Sequence, residues 1–330
     1  MTLDLDYDEG ASAVADAVSR FCADRCSDAV ARGTEDVFPH DLWSDFCELG
    51  IFAAAGRGED ASVLELCAAM EALGHAAFPG PVVTTCVAVH ALPESEQEDL
   101  VAGTSLATLG TSPLVAWARV AQVFLLAREG QIHRAEPQGE IQAVKSLSGE
   151  CWGRVVLEEG ARLPDSAAAL GLGEIVLGSY LCGAGRRLIE DAAKHAGSRR
   201  QFGHPIGEFQ AVAHPLADCW MRLDAARALV RRAAWVRANG DPEEAGYRSA
   251  VGLRSAAAAS VEAVHAAHQT FGAVGITLEG PVFHISRRIR QGASTASVWP
   301  RASDVVRSAW ESRAGQAATP WNEQGRKSDG

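Results

Sequence analysis

The sequence predicts a mostly helical α+β fold, in which two helical segments flank a short β region. Three observations support this class. Long stretches towards both ends repeat apolar residues at helical spacing, alanine is very abundant, and residues 103–160 form short runs, often β-branched, separated by Gly, Pro and Ser. A chain of 330 residues is long enough for two or three structural units.

The first segment, residues 1–100, has the pattern of an N-terminal helical domain. Apolar periodicity predicts one helix over residues 11–32 and a second after Pro39, in the run HDLWSDFCELGIF. A third helix is predicted over residues 61–75, before the turn FPGP, and a fourth covers VVTTCVAVHAL.

The middle segment, residues 101–165, is predicted to form a small antiparallel β domain. Its candidate strands are short and are bounded by turn residues: SLATLG, AQVFLLARE, QIHRAE, IQAVKSLS and WGRVVLE. The segment is short for a separate domain.

The third segment, residues 166–312, is predicted to be a helical bundle, and the polar tail 313–330 is expected to be disordered. The periodicity predicts helices over residues 167–197, 208–237 and 242–272 and near 302–312. Two apolar stripes indicate core faces of this bundle: Phe209, Val212, Leu216, Trp220, Leu223 and Val230, and Val251, Ala258, Val261, Val264 and Ala267.

Charge and composition exclude several function classes. The formal net charge of −12, from 30 basic and 42 acidic residues, argues against a nucleic-acid-binding protein, which needs a basic face. The acidic start MTLDLDYDEG lacks the apolar core of a signal peptide, and no run of 18 apolar residues predicts a membrane span. The eight cysteines are scattered without metal-ligand spacing. We therefore expect a cytoplasmic protein with reduced thiols and no metal.

Two motifs in the third segment resemble the C-terminal motifs of acyl-CoA dehydrogenases, and they lie at the separation that the family shows. The first has the form R-x-x-F-G-x-P-I-x-x-F-Q, followed by Leu-Ala-Asp; its residues are Arg199, Phe202, Gly203, Pro205, Ile206, Phe209 and Gln210, then Leu216, Ala217 and Asp218. The second comprises Gln269, Gly272, Gly275, Glu279, Pro281 and Arg287.

This resemblance implies an N-terminal helical domain, a middle β domain and a C-terminal four-helix bundle. It also implies FAD and an acyl thioester substrate, carried on CoA or on an acyl carrier protein. In the family the two motifs serve the FAD of a neighbouring subunit, which implies a homo- or hetero-oligomer with another acyl-CoA dehydrogenase chain. The FAD contacts carried over are Arg199, Gln201, Phe202, Gln210, Gln269 and Gly272.

The chemistry of these side chains fits that role. A guanidinium holds a pyrophosphate through two parallel hydrogen bonds, and an amide donates to phosphate or adenine without adding charge. A glycine lets backbone amides approach an anion closely.

The chain departs from the family pattern at several places. The family's double glycine is Gly272-Ala273, the Thr-Glu-Pro segment that covers the flavin is missing, and the run LGIFAAAGRGEDAS replaces a Pro-Glu-x-x-Gly-Gly loop. The catalytic base is the largest departure. The usual glutamate position, nine residues after Arg287, holds Ala296, which cannot accept a proton.

Some family members carry the base near the start of the helix before the arginine motif, where this chain has Gly173 and then Glu174. Glu174 is therefore the candidate base. One residue turns a helical side chain by about 100°, so Glu174 is offset from the family's position at residue 173. Glu174 also fits a second interpretation, as an acidic residue favoured by the dipole of the first helical turn.

Four functions are consistent with these patterns. The first is an FAD-dependent acyl-CoA dehydrogenase. The second, which the missing base and the short β region favour, is the incomplete subunit of a heteromeric dehydrogenase. The third is an enzyme of the same fold with changed chemistry, such as a flavin monooxygenase or a dehydratase of secondary metabolism; a purely structural subunit is also open.

Overall fold

The N-terminal part of the chain is a layer of helices. The computed structural model describes residues 6–32, 36–58, 61–240, 242–278, 280–297 and 299. The helices are α1 (Glu9–Arg25), α2 (Asp28–Arg32), α3 (His40–Cys47), α4 (Val63–His75), α5 (Val82–Ala91) and α6 (Glu98–Val101), with 3-10 turns at Ile51–Ala55 and Glu94–Glu96.

Polar caps set several of these helix boundaries. Asp8 accepts a hydrogen bond from the Ala11 amide at 2.8 Å, and Ser62 accepts one from the Glu65 amide at 3.3 Å. The single helix predicted over 11–32 is wrong: the chain breaks after Arg25, and the Ser27 hydroxyl accepts from the Val30 amide at 3.4 Å, which starts a second helix. Gly50, with a φ of 71°, ends the segment after α3.

The middle part is one twisted five-stranded sheet in the order β1-β3-β4-β5-β2. The strands are β1 (Ala107–Gly110), β2 (Leu114–Val115), β3 (Val123–Arg128), β4 (Gln131–Lys145) and β5 (Cys151–Arg162). Three of the four pairings are antiparallel, as predicted, but β1 pairs with β3 in parallel. That pairing requires a crossover, which residues 111–122 supply together with β2.

The C-terminal part contains the long helices α7 (Ser166–Ser198), α8 (Gln210–Asn239) and α9 (Pro242–Phe271), followed by α10 (Phe283–Ser297). A short hairpin of β6 (Arg200–Gln201) and β7 (His204–Pro205) lies between α7 and α8. The sequence did not predict α10. Its buried residues include the polar His284, Ser286 and Arg288 beside Ile285 and Ile289, so the apolar periodicity along the helix is interrupted. The helix predicted near 302–312, the tail 313–330 and Glu279 lie outside the described residues.

Helices α4 and α7 join the N-terminal layer to the bundle through direct backbone contact. A Cβ atom at Gly183 would overlap the carbonyl of Glu71, and one at Gly74 would overlap the carbonyl of Tyr180. The same contact buries an ionic network, because the Glu71 carboxylate accepts from Tyr7 at 2.8 Å and from Arg227 at 2.7 Å. The three parts therefore share one continuous core. We keep the division near residues 100 and 165 as a proposal.

Helix α7 has the length and the apolar composition of a membrane span, but most of its apolar window is buried inside the molecule. All eight cysteines are buried and free of disulfides. Among the described residues, His, Cys, Asp and Glu side chains form no group of three or more that could hold a metal ion.

Candidate cofactor-binding arm and active-site cavity

The arginine motif folds into an exposed hairpin at the end of α7. A two-residue turn at Phe202 and Gly203, with φ values of 55° and 86°, joins β6 to β7. Positive φ at both positions is the geometry of a type I′ turn, which suits glycine but is uncommon for phenylalanine. The Phe202 ring is 90% exposed and touches Phe209 edge-on, with 6.2 Å between ring centroids.

The carried-over polar residues of this hairpin all face solvent. Arg199, Gln201 and Gln210 are exposed, and the Arg199 carbonyl accepts from the Ile206 amide at 2.8 Å, which closes the base of the hairpin. Their hydrogen-bonding groups therefore lie outside the core of this chain. We refer to the hairpin and the loop described next as the cofactor arm.

The glutamine–glycine motif forms the second half of the arm, at the end of α9. Gln269 is exposed, and Gly272 has a φ of 60° at the start of the 3-10 turn Gly272–Ile276. A Cβ at Gly272 would meet nothing within 4 Å, so the need for glycine comes from its backbone conformation. The His195 ring stacks on Phe271 at 4.4 Å and brings the ends of α7 and α9, with their motifs, to one end of the bundle.

A small cavity of about 100 Å³ lies where the helical layer, the sheet and the bundle meet. Its lining includes Trp117 and Trp152 from the sheet region, Tyr180 from α7, and Trp299, and we refer to it as the aromatic cavity. The acidic side chain in this lining, among the residues that the structure describes, is Glu150, whose carboxylate accepts from the Trp152 indole at 3.0 Å. Sequence reasoning missed Glu150, because it lies in a loop without a motif.

Trp299 occupies the space beside both positions where the resemblance places a base. The Trp299 amide donates to the Ala296 carbonyl at 3.4 Å, and the indole Nε1 donates to the Leu170 carbonyl at 3.3 Å. The ring then lies so close to α7 that a Cβ at Gly173 would be 2.5 Å from its Cζ2 atom. Neither position carries an acid, and the indole fills the space that a side chain from Gly173 would take.

Glu174 points to a different part of the bundle. It is 2% exposed, and its Oε2 atom accepts from the Ser249 hydroxyl of α9 at 2.6 Å. It is not part of the lining of the 100 Å³ cavity, which takes Leu177 and Tyr180 from α7. Its role as a base stays a prediction.

The two halves of the candidate site differ in how well they fit FAD. The exposed guanidinium, amides and glycine of the cofactor arm match a pyrophosphate and an adenine. The internal cavity does not match a flavin ring, because pockets for ligands of that size usually enclose roughly 300–1,000 Å³ and this cavity encloses about 100 Å³.

Comparison with known proteins agrees with both motifs. The pattern for the acyl-CoA dehydrogenase N-terminal domain matches residues 8–98, and that for the C-terminal domain matches residues 163–294. The chain belongs to the acyl-CoA dehydrogenase family. The fold prediction is confirmed, and so is the assignment to a family of flavoproteins that generally bind FAD.

Three similar proteins of this family illustrate its range. The acyl-CoA dehydrogenase IpdE2 of Mycobacterium tuberculosis is 27% identical over 308 residues, covering 86% of this chain and 91% of that protein. The L-prolyl-[peptidyl-carrier protein] dehydrogenase of Pseudomonas fluorescens is 40% identical over 85 residues, 26% of this chain and 22% of that protein. The ChsE4-ChsE5 complex of Mycobacterium tuberculosis contains a chain with a TM-score of 0.80 at 22% identity, covering 96% of this chain and 100% of that one.

Proposed function

We propose that this chain is the base-lacking subunit of a heteromeric acyl-CoA dehydrogenase, which introduces a double bond between the α and β carbons of an acyl thioester. The observation that carries the proposal is the position of Trp299, whose ring lies against Gly173 while Ala296 stands at the usual base position. Removal of an α-proton needs an acceptor within hydrogen-bonding reach. In this assembly that acceptor belongs to a complete partner chain.

This chain contributes the cofactor arm to an FAD seated mainly in the partner. Arg199 would hold the pyrophosphate, Gln201 and Gln269 would donate amide hydrogens to phosphate or adenine, and the backbone at Gly272 would approach the same group. When bound, FAD supplies the acceptor for the β-hydride. The residues of this chain position it and limit the access of water.

The apolar side chains around the cofactor arm support a partner at this surface. Phe202 is 90% exposed, and Val274, Ile276 and Leu278 are 54%, 69% and 66% exposed. Large apolar side chains exposed together mark interaction sites in soluble proteins. The similarity of fold to a chain of the ChsE4-ChsE5 complex, which by its name joins two chains, supports a heteromeric arrangement.

Glu150 favours a second candidate function, an enzyme of the same fold with changed chemistry. Its carboxylate lines the internal cavity and is held by Trp152, so this chain does carry one acid in that lining. A flavin monooxygenase or a dehydratase would not need the usual glutamate. The carrier of the acyl group is also open, because one relative is named for a peptidyl carrier protein.

The decisive experiment compares the chain purified alone with the chain co-expressed with a complete acyl-CoA dehydrogenase subunit from the same genome. We expect a colourless protein alone, and a stable complex with flavin absorption bands after co-expression. The complex should oxidise an acyl thioester with a dye as electron acceptor, tested on both CoA and carrier-protein thioesters. Flavin bands and turnover in the chain without a partner would contradict the proposal and support the second candidate.

A further inference from the structure

A second cavity, of about 310 Å³, lies between the N-terminal helical layer and the bundle. It is enclosed by the 3-10 turn Ile51–Ala55, the start of α4, and parts of α5, α7 and α8, and its polar walls include His90 and Arg237. The pocket shares no described residue with the aromatic cavity or with the cofactor arm.

His90 holds Arg237 at the wall of this pocket. The Nδ1 atom of His90 lies 3.0 Å from the Ala55 carbonyl, to which it must donate, and this leaves Nε2 to accept from Arg237 Nη2 at 3.1 Å. Burial and the positive charge of Arg237 lower the pKa of His90, so the ring is neutral at pH 7. A neutral histidine orients the guanidinium without compensating its charge.

Among the described residues, no carboxylate pairs with Arg237. Its side chain donates a hydrogen bond to His90 instead. The buried Arg231 of the same helix differs, because Glu71 accepts from it at 3.0 Å. Burial lowers the pKa of Arg237, yet an arginine stays protonated in proteins. A second cation, Arg57, also lowers the pKa of His90, but its guanidinium already pairs with the Asp165 carboxylate at 2.8 Å.

The remaining wall suits a ligand with one anionic group and an apolar body. Ser62, Val63 and Leu64 at the start of α4 belong to the lining, and the first amide groups of a helix attract anions. Ala54, Ala55 and Leu172 add apolar surface. The single positive charge of Arg237 matches a single negative charge, and a volume of about 310 Å³ lies within the range of small-ligand pockets.

We propose that this pocket binds a small carboxylic acid with a short hydrocarbon body, whose carboxylate pairs with Arg237. The guanidinium fork matches the two carboxylate oxygens, and His90 keeps the fork in position. Ala54, Ala55, Val63, Leu64 and Leu172 surround the hydrocarbon. The site lies in this chain alone and does not depend on the heteromeric assembly proposed above.

Isothermal titration calorimetry with hexanoate tests the proposal, on the chain alone or in its complex. We expect saturable binding that weakens at least about tenfold in Arg237→Gln, because a charge-assisted pair is lost. Arg222→Gln, which removes a surface pair with Glu262 at 2.7 Å, is the matched control and should bind as the parent protein does. Inorganic phosphate should bind more weakly than hexanoate.

Two further variants keep the test decisive if Arg237→Gln does not fold. Ala61→Trp fills the mouth of the pocket from an exposed position and should also abolish binding. Glu59→Gln/Asp60→Asn removes the two acids that precede Ala61 in the sequence and should leave hexanoate binding in place. The proposal is overturned if hexanoate does not bind, if it binds equally to Ala61→Trp, if phosphate binds more tightly, or if binding appears only in Glu59→Gln/Asp60→Asn.

Discussion

The indole of Trp299 packs against Gly173, so closely that a β-carbon at residue 173 would lie 2.5 Å from Cζ2 of the ring. The two residues lie near opposite ends of the bundle segment, and their contact fills the space beside Gly173, where the family resemblance predicts one of two base positions.

Gly173→Ala is expected to destabilise the protein by about 1–3 kcal/mol, since the added methyl forces the Trp299 ring or α7 to move. Gly197→Ala in the same helix is the matched control: its Cβ would meet nothing within 4 Å. That change should be neutral or stabilise the helix by up to about 1 kcal/mol. Urea unfolding measures both, and equal effects would show that the Trp299 contact is not tight.

Glu174→Gln is expected to leave the turnover of the flavin-containing assembly nearly unchanged. The amide keeps the size of the carboxylate and still accepts from Ser249, so the bundle should fold normally. If Glu174 were the base, turnover would fall by roughly 10²–10⁴-fold, because an amide cannot take the α-proton. A hundredfold loss with normal assembly and flavin content would assign the base to Glu174.

Arg199→Ala is expected to weaken FAD retention in the assembly about tenfold to a hundredfold, from the loss of a charge-assisted contact worth roughly 1.5–3 kcal/mol. Arg248→Ala is the control, since Arg248 pairs with Glu244 on the surface of α9 at 3.1 Å. Flavin content after dialysis compares the two variants. Equal retention would remove Arg199 from the FAD site.

Replacing Phe202 and Ile276 together by Ser is expected to weaken subunit association, because both side chains lie on the exposed apolar surface of the cofactor arm. Val156→Ser is the control: this side chain is 65% exposed but lies on the sheet. Light scattering across a dilution series measures dissociation. A protein that is monomeric with and without its partner would argue against shared FAD sites altogether.

The stability of the protein should fall as the pH drops from about 6.5 towards 4, with His284 as a main contributor. Its ring is 3% exposed, and neither ring nitrogen has a hydrogen-bond partner among the described residues. Burial, as the largest cause, lowers its pKa from 6.5 to about 4. The nearby Asp28 carboxylate raises the pKa, and the positive charges of Arg32, Arg288 and Arg187 lower it further. The unfolded chain thus binds a proton that the folded chain resists.

The stabilisation by neutral His284 is therefore complete above pH 6.5 and is lost as the pH falls through that window, by as much as about 3 kcal/mol. Urea unfolding of the parent protein and of His284→Gln between pH 7.5 and 4.5 isolates this contribution. Burial also lowers the pKa values of His90 and His268. The contribution of His284 is therefore the difference in unfolding free energy between the parent protein and His284→Gln at each pH. Parallel stability profiles would show that His284 does not contribute.

Local patterns in the sequence were enough for the order of helices, sheet and helices, and the motifs were enough for the family. A helix or a strand follows from the spacing of apolar residues along a few turns, and α7, α8 and α9 begin and end close to the predicted residues. The linear motif around Arg199 similarly marks a loop that can be read without a structure. The parallel β1–β3 pairing and α10 were missed, since their patterns are short or interrupted.

The tertiary structure alone decided which distant residues meet. The sequence places Ala296 and Gly173 at the two base positions, but only the packing of α7 brings Trp299 against Gly173. Likewise His90 and Arg237 are 147 residues apart, and their hydrogen bond exists because α5 and α8 both end beside the start of α4. Such contacts depend on how closely helices cross, which glycines such as Gly74 and Gly183 permit through backbone contact. Periodicity along one helix carries no information about that distance.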